Sequence, residues 1–307
     1  MTVIIYTHSA CLAHDMGAGH PERPERLKAV QAALDRPEFA GLPRHEAPRA
    51  SKEQICRVHP EAYYEAIEEV APTEGLVQLD GDTAMSPGSF EAALRAAGAV
   101  CAAVDAVMDG SASRAFCAVR PPGHHAEPKR PMGFCIFNNI AIGALHARAQ
   151  HGIRRIAVVD FDVHHGNGTQ AAFWADPELM YVSTHQSPLY PGSGAVDERG
   201  SGNIVNVPLP PAADSVAFRH AFERGVLPVL DEFAPELVMI SAGFDAHARD
   251  PLAQLELQTE DYHWATAELV RIALRHAGGR IVSTLEGGYD LTALTESTTA
   301  HLSALTA

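Results

Sequence analysis

Two histidines stand side by side at positions 124 and 125, directly after Arg120-Pro121-Pro122-Gly123. Adjacent residues on a helix or strand point to different faces. Two neighbouring imidazoles reach one pocket only from irregular backbone, and Pro-Pro-Gly makes the backbone irregular. Taken alone, the stretch reads equally well as a surface loop. Further along, Asp160, Asp162 and His164 alternate in "DFDVHHGNGT". In extended chain, residues two apart point the same way. Asp245 follows in "GFDAH", and Tyr289 in "GGYD". Two carboxylates and one imidazole suit Zn2+ with one or two open positions, as catalytic sites need. Fe2+ or Co2+ fits the same ligand types. Any one of these aspartates reads more simply as a helix cap.

What gathers them is their place after strands. "TVIIYT" (2–7), "AFCAV" (115–119), "RIAVVDFD" (155–162), "LMYVST" (179–184), "NIVNVPL" (203–209), "LVMISA" (237–242) and "RIVSTLE" (280–286) are short β-branched apolar runs. Several are apolar almost throughout, the pattern of strands covered on both faces of a parallel sheet. Helices are predicted near 25–36, 60–70, 88–109, 136–151, 214–233, 259–277 and 290–306, with Ser86-Pro87-Gly88-Ser89 as the capping signature of the third. Alternating strands and helices imply βαβ units. Ligands in such sheets bind beyond the carboxyl ends of the strands. Four strand ends then deliver His124 and His125, Asp160 to His165, Asp245 with His247, and Gly287 to Tyr289 to one rim. The loops at 9–24 and 185–202 are long for a compact domain, which points to function.

The 307 residues are 46% hydrophobic and 20% charged, enough for a large core. There is no repeat, low-complexity tract or Gly/Ser linker, so one domain over 1–307 is expected. A formal charge of −15 argues against nucleic acid and anionic membrane as partners. It suits a cationic peptide or a polyamine. The five scattered cysteines form no CxxC pair and fit a reducing compartment. The first residues lack a basic region and a long apolar run, so no signal peptide is expected and the default location is the cytoplasm.

The segments "RPPGHHA", "GFCIFNN", "DFDVHHGNGT", "SAGFDAH" and "LEGGYD", spread over 118–290, resemble the signature motifs of the zinc-dependent histone deacetylase family. That family includes bacterial deacetylase-like amidohydrolases and acetylpolyamine amidohydrolases. "GHPERPERL" (19–27) resembles its first loop. The resemblance implies the arginase–deacetylase fold, a single α/β domain around a mainly parallel eight-stranded sheet. It implies that Asp162, His164 and Asp245 ligate one catalytic Zn2+. It makes His124 and His125 the acid/base pair, with Asp160 behind His124, and Tyr289 the residue facing the substrate carbonyl. A structural monovalent cation, usually K+, matches Asp160, Asp162, His164, Ser183 and Thr184. Gly133 and Phe134 match an acyl-lysine tunnel, Asp82 its rim, and Gly287 and Gly288 the turn that lets the phenol swing inward.

Departures refine the reading. Asn167 stands behind His125 where some branches carry Asp, the pattern of the class II branch. A carboxylate there would raise the basicity of that imidazole, whereas an amide only orients it. Tyr190 takes the place of a usual Phe in the second tunnel wall. Tyr289 stands where the class IIa branch has His, which favours full activity on acetyl groups. The expected reaction is hydrolysis of acetyl or other acyl groups from lysine in proteins or peptides. Acetylpolyamine hydrolysis by the same mechanism is the alternative, and Leu252 bears on the choice: polyamine-selective members resemble this loop but place Glu there. A binuclear ureohydrolase would need Asp where Gly166 and His247 stand. A non-catalytic acyl-lysine reader would have lost a ligand, a histidine or the tyrosine. The oligomeric state stays open, a homo-oligomer included.

Overall fold

The apolar runs pair as their patterning predicts. In the computed structural model, which describes residues 2–307, ten strands form: β1 (Val3–Thr7), β2 (Arg44–Glu46), β3 (Val77–Gln78), β4 (Ala84–Met85), β5 (Arg114–Cys117), β6 (Ile156–Asp160), β7 (Leu179–Gln186), β8 (Ile204–Leu209), β9 (Leu237–Ala242) and β10 (Ile281–Leu285). Eight make one sheet, in the order β2-β1-β5-β10-β9-β6-β7-β8, and every pairing is parallel. β3 and β4 form a small antiparallel pair of their own. β5, β6, β9 and β10 are buried along their whole length, because helices cover both faces.

The helices are α1 (Pro24–Leu34), α2 (Lys52–Ile55), α3 (Glu61–Glu69), α4 (Ser89–Met108), α5 (Asn139–His151), α6 (Asn167–Phe173), α7 (Ser215–Ala221), α8 (Leu227–Phe233), α9 (Thr259–His276) and α10 (Leu291–Thr306). The single helix expected over 214–233 is divided by a π turn at Phe222–Val226. Pro228 sits in the first turn after it and lacks the N–H that would close an ordinary helical turn there. The expected serine cap of α4 also differs. The N-cap is Gly88, at φ 94° and without a side-chain bond. Ser89 Oγ instead accepts from the Ser86 amide and lies 2.7 Å from His14 Nδ1, tying the first long loop to the helix. No described helix is long and apolar enough to cross a membrane.

The strand order places β5, β10, β9 and β6 side by side, so the loops after them share one edge. That edge is braced by a buried ion network from the 19–27 segment. Arg26 and Arg120 both donate to the Glu22 carboxylate, and all three side chains are fully buried. Arg26 Nε also donates to Gly288 O at 2.6 Å, Arg26 Nη2 donates to Glu286 O, and the guanidinium lies 4.7 Å from the Tyr289 ring centre. Burial alone would raise the Glu22 pKa, but Arg120 and His14 beside it hold it well below the usual carboxylate range. A depressed folded-state value means stability present above the ordinary pKa of about 4.3 and lost as acid protonates the group. Glu22→Gln leaves two buried guanidiniums short of a counter-charge. Denaturant unfolding at neutral pH should show a loss of about 3–5 kcal/mol, the usual result of breaking a buried ion pair. The loss should shrink toward acid pH.

Candidate active site

After β5 the chain runs through Pro121, Pro122 and Gly123 into a turn carrying both histidines. Their ring centres are 4.0 Å apart, so the irregular backbone does bring adjacent imidazoles together. The turn is pinned by Glu286, at the end of β10, whose Oε2 accepts the amides of Gly123 and His124 at 2.7 and 3.1 Å. Burial raises the Glu286 carboxyl to about 7, against the pull of His124. Sequence reasoning passed over Glu286. Its only signal is a carboxylate directly behind an apolar strand.

The two histidines have different supports. His124 Nδ1 lies 2.9 Å from Asp160 Oδ2, which also accepts the Tyr181 hydroxyl at 3.0 Å. His125 Nδ1 lies 2.9 Å from Asn167 Oδ1. Burial would lower the His124 pKa, but Asp160 and Asp162 outweigh it and raise it to about 10. Burial, then the neighbouring His124 and His164, push His125 well below its ordinary value. Environments that drive paired groups apart assign them different acid and base roles.

Asp162, His164 and Asp245 converge, although not by strand alternation. β6 ends at Asp160, and residues 162–164 lie in bends rather than in extended chain. Asp162 Oδ1 accepts the His164 amide at 2.9 Å, which curls the chain back on itself. His164 Nδ1 then lies 3.1 Å from both Asp162 Oδ1 and Asp245 Oδ2. The Val163 amide donates to Asp245 Oδ1 at 2.9 Å and the Gly287 amide to Asp162 Oδ2 at 2.8 Å. Burial and the Asp162 charge raise the Asp245 pKa, so negative charge is crowded here. A Cβ on Gly243 would sit 2.0 Å from Asp162 Oδ2, and one on Gly287 2.1 Å from Asp245 Oδ2, so only glycine leaves the carboxylates their place. Buried oxygen and imidazole donors gathered at one point, with excess negative charge, fit a divalent transition metal.

A second group of ligating types, Asp105, His146 and His151, lies between α4 and α5. It is chemically different. Arg57 Nη1 is 2.6 Å from His146 Nδ1, and a guanidinium only donates. His146 therefore carries its proton on Nε2 and gives it to Asp105, 2.8 Å away. Metal-bound histidines donate from their other nitrogen, which Arg57 prevents here.

Asp82, His125, Gly133, Phe134, His164, Leu189, Tyr190, Leu252 and Tyr289 line a cavity of about 180 Å3. Leu189 is the one lining residue the sequence did not single out. Gly287 and Gly288 are not in the wall. They lie behind it, Gly287 against the carboxylates and Gly288 near Phe244 and Leu294. Gly133 and Phe134 have φ of 57° and 68°, the left-handed region that ordinary side chains avoid. Asp82 Oδ1 and Thr83 Oγ1 hold this turn by accepting their amides at 3.1 and 3.0 Å. Asp250 also went unrecognised. Its carboxylate accepts the amides of Leu252 at 3.0 Å and Tyr289 at 2.7 Å. Burial, and Asp245 nearby, raise it to about 7. Asp160 and Ser183 are register partners on β6 and β7. Ser183 and Thr184 alternate across the sheet, so the Thr184 hydroxyl does not share the face of Ser183.

A family model described as the histone deacetylase domain matches residues 20–305. The chain is 44% identical to a histone deacetylase-like amidohydrolase of Pseudomonas aeruginosa, over 89% of this chain and 73% of that one. It is 41% identical to histone deacetylase 14, chloroplastic, of Arabidopsis thaliana, over 96% and 74%. It is 39% identical to a probable deacetylase of Archaeoglobus fulgidus, over 95% and 82%. The crystal structure of the HDA15 HD domain superposes with a TM-score of 0.94 at 35% identity, over 99% of this chain and 88% of that one.

The difference between the two Asp/His groups is open to direct measurement. Elemental analysis should find one tightly held transition metal per chain. Asp162→Asn or His164→Ala should remove it, and Asp105→Asn should leave it in place.

Proposed function

This chain belongs to the histone deacetylase family, and from that premise we propose that it is a zinc-dependent amidohydrolase that removes acetyl groups from lysine side chains in proteins or peptides. One observation carries the reading. Asp162, His164 and Asp245 meet beside two differently supported histidines, and His125, His164 and Tyr289 line one cavity. At about 180 Å3 that cavity is smaller than the ~300–1,000 Å3 of pockets for drug-sized ligands, and suits a single side chain.

Asp162, His164 and Asp245 would hold Zn2+, with Fe2+ or Co2+ as substitutes. The metal supplies Lewis acidity, polarising an acyl oxygen and acidifying water. The remaining work falls to the chain. His125, neutral and with Nδ1 bonded to Asn167, takes a proton from the attacking water and later gives it to the leaving amine. Such help is typically worth about 10²–10⁴-fold. His124, cationic against Asp160, stabilises the negative charge that develops. The Tyr289 hydroxyl donates to the new oxyanion. Phe134, Leu189, Tyr190 and Leu252 exclude water along the lysine stem, and the Asp82 carboxylate at the rim accepts from the substrate backbone. A monovalent cation, K+ in this reading, would sit near Asp160, Asp162, His164 and Ser183, with Thr184 offering only its main chain.

Tyr289→Phe is expected to fold, keep its metal and lose about 10²–10³ in kcat on an acetyl-lysine peptide, as when an oxyanion donor is removed. Unimpaired turnover would take Tyr289 out of the mechanism. Substrate class turns on Leu252. Its apolar side chain suits the lysine stem, whereas a polyamine would gain from a carboxylate in this partly desolvated place. A comparison of kcat/KM should favour the acetyl-lysine peptide over N8-acetylspermidine, and Leu252→Glu should shift the ratio toward the polyamine. A wild type tenfold better on the polyamine would reverse the assignment.

A further inference from the structure

We propose that Glu127 is a positioning residue that fixes which nitrogen of His125 carries the proton, acting through Asn167. The proposal rests on the reading of His125 as the proton acceptor. The two ends of an asparagine amide have nearly the same shape and opposite hydrogen-bonding character. Behind a histidine, an amide therefore selects a tautomer only if something else fixes which way it faces. Asn167 Oδ1 lies 2.9 Å from His125 Nδ1. At its other end, Asn167 Nδ2 donates to Glu127 Oε1 at 2.8 Å and to the Met132 sulfur at 3.3 Å. Flipping the amide would set its oxygen against the Glu127 carboxylate, two acceptors face to face. Glu127 thereby turns Oδ1 toward His125, which must answer with Nδ1–H. Its Nε2 is left bare, as a base needs.

Glu127 is held for this task. Its amide donates to Arg130 O at 3.0 Å and its carbonyl accepts the Arg130 amide at 3.3 Å, a tight turn directly after the histidine pair. It is half-buried in the wall of a second cleft, shared with Arg130, Gln170 and Trp174 on the far side of Asn167 from the tunnel. The contrast with His124 shows why a third residue is needed. Asp160 is a carboxylate, accepts from either oxygen and fixes a donor at Nδ1 unaided.

Four variants and two readouts test the proposal in the metal-loaded enzyme. Glu127→Ala frees the amide to turn. It should lower kcat on an acetyl-lysine peptide by about 10–100-fold, the usual effect of losing an outer-shell partner, with KM and metal content little changed. Glu127→Gln puts a second amide, able to donate or to accept, behind Asn167, so it too frees that amide to turn and should lower kcat on the same scale. Asn167→Asp sets two carboxylates against each other and should impair activity, while Glu127→Gln in the same chain supplies a donor and should restore it. The second readout is the 15N NMR signature of His125, its resonances assigned by their loss in His125→Ala. Wild type should show a proton on Nδ1, and Glu127→Ala and Glu127→Gln a mixture with Nε2–H. An unchanged tautomer in Glu127→Ala would overturn the proposal. Failure of Glu127→Gln to restore Asn167→Asp would also overturn it, by making the role of Glu127 structural. A wild type with no deacetylase activity would sink the functional reading instead, and the tautomer would still report on Glu127.

Discussion

Buried negative charge at the carboxyl edge of the sheet is the constraint to which the surrounding structure answers. Asp160, Asp162, Asp245 and Glu286 are almost wholly shielded from water, and they end or follow adjacent strands. Two like charges 4 Å apart at an effective dielectric near 20 repel by about 4 kcal/mol. The fold meets this in three ways. Backbone amides of Gly123, His124, Val163, His164 and Gly287 point at the carboxylates. His124 is driven toward its cationic form, to about 10, by the carboxylates beside it. The ligand atoms of Asp162, His164 and Asp245 lie within 4.8 Å of one another, a set that could hold a cation. Charge that would destabilise an ordinary core is charge that a bound divalent metal would offset.

The same edge must keep neutral groups neutral. His125 shares the turn of His124 yet touches no carboxylate. Its partner is an amide, and the acidic group of that arm, Glu127, stands one residue further out. Tyr289 is held from two sides, by Asp250 at its amide and by Arg26 beside its ring. Neither support touches the phenol oxygen, so the hydroxyl stays free to act. The charged supports of His125 and Tyr289, Glu127 and Arg26, thus stand behind the cavity wall rather than in it.

Much of this arrangement is legible in the sequence, because parallel strands buried on both faces write themselves as unbroken apolar runs. All seven runs are strands, and the motifs follow the ends they were expected to follow. The eighth strand, β2, was missed because Arg44, His45 and Glu46 form an exposed edge and take their structure from β1 alone. α6 was missed because it is short and begins at Asn167, inside the motif itself. His124 and Asp160, His125 and Asn167, and His125 and Tyr289 are brought together, and so are the three positions read as metal ligands, since residue type and strand order fixed their neighbourhood. The extended geometry assumed for Asp162 and His164 failed, because a side chain bonding its own backbone two residues on overrides strand propagation. Glu22, Arg26, Glu127, Asp250 and Glu286 had no readable role. Each acts through a contact distant in sequence or through a backbone amide, and neither leaves a spacing pattern.

Net charge is a poor guide to what the tunnel mouth recognises. The formal charge of −15 draws any polycation toward the molecule, but that attraction fades over a Debye length of about 8–10 Å at physiological salt. At the mouth itself the acidic groups are already engaged. Arg130 donates twice to Asp80 Oδ2, at 3.1 and 2.8 Å, and Asp82 Oδ1 accepts the Gly133 amide and the Thr83 hydroxyl. The surfaces between them are Phe134, Leu189, Tyr190 and Leu252. A long polyamine carries its second charge beyond the acylated end, where it needs a free carboxylate within contact distance. A peptide presents neutral amides there, which need no counter-charge. Charge at the rim is therefore set within a few ångströms, by which oxygens the fold has already filled.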